Sequence, residues 1–73
     1  MQYEEIEDLF GLLFETISGQ LSEKHLAQVR MFFDAGEYGI ALETLLEALD
    51  ESAVEQNSSM KSYIEKLKTI MEI

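Results

Sequence analysis

FFDAGEYGIALETLLEAL, residues 32–49, decides the fold because it joins two helical patterns through a very short connection. After Tyr38, alanine and leucine repeat at intervals of three and four, which predicts a helix with one broad buried face. Gly36 is the natural end of the preceding helix, since glycine readily adopts the left-handed backbone conformation that closes many helices. Only Ala35 to Glu37 separate the two patterns, so the two helices must form a tight hairpin or corner.

Apolar residues repeat at helical spacing along the rest of the chain as well, which predicts an all-α protein. We expect a single domain, residues 1–73, in which the helices form a compact bundle or two crossed hairpins. About four short helices are expected, at about residues 3–18, 22–35, 37–50 and 58–72. In the first, Gly11 lowers helix stability by about 1 kcal/mol relative to alanine and leaves room for a neighbouring helix to approach. Leu12 and Phe14 broaden its apolar face, so we expect contacts on more than one side.

Two helix starts carry recognisable capping signals. Ser22 is a good N-cap for the second helix, and Leu21 and Leu26 occupy the two positions of a hydrophobic staple around it. The fourth helix has two candidate starts. Ser52–Glu55 matches a capping box, whereas the apolar spacing of the C-terminal residues favours a start near Ser58.

The composition argues against several classes of function. The 73 residues include 15 acidic and five basic side chains, for a formal net charge of −10. Such a charge disfavours binding to nucleic acid or to an anionic membrane surface, both of which attract basic patches. Because the chain has no cysteine, neither a disulfide nor a thiolate metal site is expected. Apolar runs such as Leu12–Phe14 are at most three residues long, too short to span a bilayer, and the acidic N-terminus does not resemble a signal peptide. We therefore expect a soluble, cytoplasmic protein.

Acidic side chains are concentrated in the first and third helices, at residues 1–18 and 37–51, where no basic side chain occurs. If these helices are neighbours, they form one anionic surface suited to a cationic protein partner and to fast, salt-sensitive association. The alternative is a solvated acidic face that keeps a small protein soluble. Tyr3 and Tyr38 begin the two helices, either as partly exposed anchors for a partner or as covers of the core. The candidate partner-binding residues are Glu4, Glu5, Glu7, Asp8, Tyr38, Glu43, Glu47, Asp50 and Glu51.

Residue patterns typical of catalysis or metal binding are missing from the sequence. His25 is the only histidine, and a lone histidine early in a helix is more often a surface residue than a base or a ligand. A carboxylate pair such as Glu43 and Glu47 lacks the Glu-x-x-His elements of a di-metal site in a helical bundle. Ser58–Met60 lacks the Asp-Ser-Leu context of an acyl carrier protein. We therefore expect no catalytic residue, no cofactor and no metal, and a protein that is not an enzyme.

One motif lies at the junction of the second and third helices: Gly36-Glu37-Tyr38-Gly39, followed by Ala41-Leu42-Glu43. With its surroundings, Phe33–Leu49, it resembles the signature of MafI-type immunity proteins. These are short acidic helical proteins of bacterial polymorphic-toxin and contact-dependent inhibition systems. The C-terminal stretch Tyr63–Met71 is similar in style to the last helix of that family, so the resemblance covers about half of the chain.

The resemblance implies function by stoichiometric binding, in which the protein neutralises the C-terminal domain of a cognate secreted toxin. In such systems the toxin is often a ribonuclease. A nuclease active site is basic because it must hold phosphates, so an acidic inhibitor is its electrostatic complement. The runner-up is a small acidic helical adaptor or antitoxin-like regulatory protein, for which an exposed apolar groove should dominate over the acidic face. Monomer and dimer both remain open.

Overall fold

The structure is a computed structural model that describes residues 3–72. These residues form four α-helices and no strand, so the prediction of an all-α protein with about four short helices is confirmed. The helices are α1 (Tyr3–Ile17), α2 (Glu23–Asp34), α3 (Tyr38–Glu51) and α4 (Ser58–Met71). Each predicted boundary lies within one residue of the observed one. Met1, Gln2 and Ile73, which belong to the predicted domain, lie outside the described residues.

The four helices form two pairs, in which α1 packs against α4 and α2 packs against α3. The pair α2 and α3 makes one compact unit, Gly19–Glu55, and α1 and α4 make the other. The prediction of a single domain over residues 1–73 stays a prediction. Measured over residues 3–72, every helix is too short or too polar to cross a membrane.

A glycine turn closes the hairpin of α2 and α3. The amide of Gly36 donates to the carbonyl of Phe33 at 3.0 Å, and the amide of Glu37 donates to the carbonyl of Phe32 at 2.9 Å. These two bonds form the Schellman pattern, which satisfies carbonyl groups that a helix end would otherwise leave without partners. The pattern needs a left-handed residue, and Gly36 supplies it with a φ of +79°. The predicted short connection is therefore confirmed.

The same hydrogen-bond pattern ends α3, but with alanine in the glycine position. The amide of Ala53 donates to the carbonyl of Asp50 at 3.1 Å, and the amide of Val54 donates to the carbonyl of Leu49 at 3.0 Å. Ala53 has a φ of +53°, in the left-handed region that costs a residue with a Cβ about 1–2 kcal/mol. The alternative that Ser52–Glu55 opens the fourth helix is therefore wrong, because these residues close the third.

Side chains cap the starts of α2 and α4. The Oγ atom of Ser22 accepts a hydrogen bond from the amide of His25 at 3.2 Å, which confirms the predicted N-cap. The Oδ1 atom of Asn57 accepts one from the amide of Met60 at 2.9 Å. This cap explains why α4 begins at Ser58, the favoured one of the two predicted starts.

The buried side chains follow the predicted apolar stripes. Those in the core are Ile6, Leu9, Phe10, Leu13, Ile17, Leu21, Val29, Ala41, Leu42, Leu45, Ala48, Leu49, Met60, Ile64 and Leu67. Within α2 only Val29 is buried, because it lies in the middle of the stripe. Leu26, Phe32 and Phe33 lie at the edges of that stripe and are half-buried.

The outer side of α1 is more open than the sequence predicts. Leu12 is 41% exposed, although it was expected to broaden the buried face. A Cβ atom added to Gly11 would meet nothing within 4 Å, so the expected close approach of a neighbouring helix at this position is wrong. The reason is that the buried stripe of α1 runs through Leu9 and Leu13 and leaves this side of the helix outside it.

Candidate protein-binding faces

Three acidic side chains of α3 lie along one outward face of the helix. Glu43, Glu47 and Asp50 follow one another at intervals of four and three residues, so they are neighbours on the helix surface. All three are exposed, whereas Leu45 and Leu49 on the opposite side are buried. We call Glu43, Glu47 and Asp50 the α3 acidic face.

An exposed isoleucine extends this face toward the start of α3. Ile40 lies three positions before Glu43, and it is 44% exposed. Protein-binding surfaces commonly combine an apolar contact with a polar rim around it. Ile40 and the α3 acidic face together therefore offer a partner both apolar area and negative charge.

The acids of α3 lie where they lower the stability of the helix. Asp50 is close to the C-terminal end, the last turn has no basic side chain, and the first turn has no acidic one. Because the C-terminus of a helix is the negative end of its dipole, an acid there is unfavourable by about 0.3–1 kcal/mol. The like-charged pair Glu43 and Glu47 adds a few tenths of a kcal/mol at most. Helix stability therefore does not explain these acids.

Glu51 contacts α2 through the only histidine of the chain. Its Oε2 atom lies 3.6 Å from the Nε2 atom of His25, whose Nδ1 atom lies 3.2 Å from the Oγ atom of Ser22. The imidazole thus bridges the start of α2 and the end of α3, which run antiparallel. His25 is 29% exposed and contacts both helix ends, and the prediction that it is a surface residue and not a base or a ligand stays a prediction. The side chain of Glu51 remains 69% exposed.

The ring of Tyr38 packs against the hairpin. Its centroid lies 5.5 Å from that of Phe33, and the two rings are tilted by 56°. Tyr38 is half-buried, so this contact supports the interpretation that it covers the core. Its predicted role in partner binding stays a prediction. Tyr3, in contrast, is 54% exposed.

The acids of α1 lie mainly on the outer side of that helix. Glu4, Glu7, Asp8 and Glu15 are all exposed, and Gly11 stands among them at helical spacing. We call these four acids the α1 acidic face. Glu4 lies in the first turn, where the positive end of the helix dipole stabilises it, so part of this acidity has a structural explanation.

Glu5 lies on a different side of α1, in a groove between α1 and α4. The groove has a volume of about 350 Å³ and is also lined by Glu65, Lys66, Thr69 and Ile70. Since Glu5 lies near the start of α1 and Thr69 near the end of α4, the two helices run antiparallel. Lys66 supplies positive charge to the same groove, so Glu5 is not part of the α1 acidic face.

The two acidic faces belong to different units of the chain. Gly19–Glu55, which contains α3, carries eight acidic and two basic side chains. The unit formed by α1 and α4 carries seven acidic and three basic side chains. The larger excess of negative charge is therefore in the unit that contains α3. The prediction that the first and third helices form one anionic surface stays a prediction.

Ile40 and Glu15 belong to these outward sides but were not among the predicted contact residues. Both positions could have been predicted from the sequence. Ile40 precedes Glu43 by three positions, and Glu15 follows Gly11 by four, the intervals at which helical residues become surface neighbours. For the part of the chain from 3 to 72, no group of three or more His, Asp or Glu side chains is arranged to hold a metal ion.

Comparison of the chain with protein-family models, with curated proteins and with solved structures gives no match.

Proposed function

We propose that this chain is an immunity protein of the MafI type, which binds and neutralises the C-terminal domain of a cognate secreted toxin. The toxin domain is a basic nuclease, most simply a ribonuclease, and the chain acts on it in the cytoplasm by stoichiometric binding without catalysis. The observation that carries the proposal is the α3 acidic face, with Ile40 beside it.

The energetics of α3 favour a binding role over a purely structural one. Its exposed carboxylates repel one another, and Asp50 opposes the helix dipole. A partner that brings lysine and arginine side chains against them removes both penalties on binding. A nuclease has such side chains, since it must hold the phosphates of its substrate, and opposite charge also speeds the encounter.

The α1 acidic face is the second contact region in this proposal. Glu4, Glu7 and Asp8 are exposed there, as a contact with a cationic surface requires. Tyr3, at the start of the same helix, adds an exposed aromatic ring of the kind enriched in binding hot spots.

The alternative, a small acidic helical adaptor or antitoxin-like protein, would bind a partner helix in an apolar groove. The groove between α1 and α4 contains three charged side chains, Glu5, Glu65 and Lys66, which do not complement an apolar helix. The exposed large apolar residues Tyr3, Leu12, Met31 and Ile40 are divided among three helices. The charged faces are therefore the more distinctive surfaces of the described chain.

The proposal can be tested with the toxin domain encoded directly upstream of this gene, an arrangement that the proposal itself requires. The dissociation constant of the purified pair is measured at low and at high salt, together with inhibition of the toxin's nuclease activity. We expect binding that weakens as salt screens the charges. The triple variant Glu43→Gln/Glu47→Gln/Asp50→Asn is expected to lose about tenfold in affinity or more.

A matched control removes the same amount of charge elsewhere in the same unit. Glu23→Gln/Asp34→Asn/Glu55→Gln changes three exposed acids outside the α3 acidic face. It should retain most of the affinity. If both triple variants weaken binding equally, net charge acts and the α3 acidic face does not. If the wild-type chain neither binds nor inhibits the upstream toxin domain, the proposed function is wrong.

A further inference from the structure

The outward side of α2 combines an exposed apolar residue with charges of both signs. Met31 is 59% exposed, more than any other large hydrophobic residue of the described chain. It follows the buried Val29 by two residues, about 200° around the helix, so it points away from the core. Lys24, Ala27 and Asp34 are exposed as well, and intervals of three and four residues make them surface neighbours of Met31. We call Lys24, Ala27, Met31 and Asp34 the outer face of α2.

The balance of charge distinguishes α2 from the other helices of residues 3–72. It carries two acids, Glu23 and Asp34, and two bases, Lys24 and Arg30. The helices α1 and α3 have no basic side chain, and α4 has no exposed large hydrophobic residue. In a chain with a net charge of −10, a second copy meets the least repulsion at a surface whose charges balance.

The outer face of α2 is complementary to itself. When two copies of a helix pack antiparallel about a two-fold axis, positions equally far before and after the axis lie opposite each other. With the axis at the level of Val29, Lys24 lies opposite Asp34 of the second copy, since each is five residues away from it. Ala27 lies opposite Met31, since each is two residues away. One register therefore pairs both the charges and the apolar side chains, and each pair occurs twice.

The sizes of the facing side chains also match. A large side chain opposite a small one lets two helices interdigitate, and the unbranched methionine adapts to the gap beside an alanine. The ion pairs between Lys24 and Asp34 lie at the two ends of the contact. Such pairs fix the direction and register of two helices more than they raise the affinity.

We propose that a second copy of this chain docks on the outer face of α2 and forms an antiparallel two-fold dimer. The contact is one helix wide, and the 12 residues of α2 span only about 18 Å. The interface is therefore small and the dimer weak, with a dissociation constant of about 10 μM to 1 mM. This inference does not depend on the proposed function, and the α3 acidic face takes no part in it.

The test exchanges the charges across the interface. Sedimentation equilibrium of the purified full chain measures the dissociation constant of the dimer. Asp34→Lys places lysine opposite lysine and should weaken the dimer about tenfold or more, although it lowers the net negative charge. Lys24→Glu/Asp34→Lys restores opposite charges at the wild-type net charge, so its dissociation constant should return to within about threefold of the wild-type value. The exchange also places an acid at the start of α2 and a base at its end, which favours the helix.

Two further variants examine the apolar contact and the net charge. Met31→Ser should weaken the dimer about tenfold, because it removes apolar area that only the dimer buries. Lys24→Glu should weaken it about tenfold as well. Lys61→Glu is the matched control for Lys24→Glu, since it makes the same change of charge at an exposed position of α4. It should dimerise like the wild-type chain, and circular dichroism checks that every variant remains helical.

Several outcomes would overturn the inference. A wild-type chain that stays monomeric up to about 1 mM is one, and a dimer that Asp34→Lys tightens is another. Equal weakening by Lys24→Glu and Lys61→Glu would show that net charge acts and the outer face of α2 does not.

The toxin domain is the other possible occupant of this face. If Met31→Ser and Asp34→Lys weaken binding of the toxin domain but leave self-association unchanged, the face binds the toxin and the dimer is wrong. The proposed function is tested at concentrations far below the dissociation constant of the dimer, where the chain is monomeric. Failure of one proposal therefore leaves the other standing.

Discussion

The Nε2 atom of His25 lies 3.6 Å from the Oε2 atom of Glu51, and this contact joins the first turn of α2 to the last turn of α3. Together with the N-cap Ser22, it holds the end of the hairpin opposite the Gly36 turn. The hairpin of α2 and α3 is thus held at one end by the hydrogen bonds of the Gly36 turn and at the other by the contacts of His25.

The N-cap should contribute more to stability than the contact between His25 and Glu51. Ser22→Ala removes the acceptor of the His25 amide and should lower the free energy of unfolding by about 1 kcal/mol. Glu51→Gln should change it by less than about 0.5 kcal/mol, because the carboxylate is largely exposed. Urea denaturation measures both, and Ser62→Ala, at an exposed position in the middle of α4, serves as the control. An equal effect of the two variants would contradict this ranking.

Exchanging glycine and alanine at the two helix ends should give opposite signs. Ala53→Gly relieves a left-handed alanine and should raise the free energy of unfolding by about 0.5–1 kcal/mol, since the strain removed exceeds the added chain entropy. Gly36→Ala introduces the same strain and should lower it by about 1 kcal/mol or more. No heavy atom stands within 4 Å of a Cβ added at Gly36, so the effect tests the backbone alone. Thermal melting of the two variants measures both changes in stability. Changes of the same sign in both variants would contradict the prediction.

Truncation of a core leucine should leave little folded protein. Leu45 is fully buried, and Leu45→Ala should cost about 2–5 kcal/mol, against a net stability of about 3–5 kcal/mol for a chain of this size. Ile40→Ala on the outward side of the same helix should change stability by about 0.5 kcal/mol or less. Circular dichroism measured as a function of temperature compares the stabilities of the two variants. A well-folded Leu45→Ala variant would show that α3 is less tightly packed than described.

Salt should stabilise the isolated chain. At low ionic strength the net charge of −10 and the like-charged neighbours on α3 oppose folding, and added salt screens them. The melting temperature of the wild-type chain should therefore rise with sodium chloride. The variant Glu43→Gln/Glu47→Gln/Asp50→Asn should start higher and rise less. A triple variant that melts below the wild-type chain would show that the acids of α3 stabilise the fold.

The helices can be predicted from the sequence, because apolar residues spaced by three and four positions are a local signal. The turn at Gly36 can be predicted for the same reason, because glycine is the residue that most readily adopts the left-handed backbone conformation found there. The turn at Ala53 was not, since alanine rarely adopts this conformation, and so Ser52–Glu55 also matched a capping box. The hydrogen bonds of Ala53 and Val54 resolve that ambiguity.

The sequence predicts which side chains of one helix share a face, but not which helices pack together. The exposure of Glu43, Glu47 and Asp50 follows from the spacing of the leucines behind them. The position of Glu5 does not, because it depends on the pairing of α1 with α4, which no local pattern encodes. The contact between His25 and Glu51 likewise needs the antiparallel hairpin before the two residues, far apart in sequence, become neighbours.

The pairing of α1 with α4 has a consequence for the order of events during synthesis. The hairpin of α2 and α3 is complete within one continuous segment, whereas α1 must wait for α4, which is translated after that hairpin. Local contacts form faster than distant ones, so pulse-labelled hydrogen exchange during refolding should show α2 and α3 protected before α1 and α4. On a ribosome adding about 5–20 residues per second, the apolar stripe of α1 would stay without its partner helix for roughly 3–10 s. The nascent chain is thus open to chaperones and proteases for that interval, whatever the stability of the finished protein.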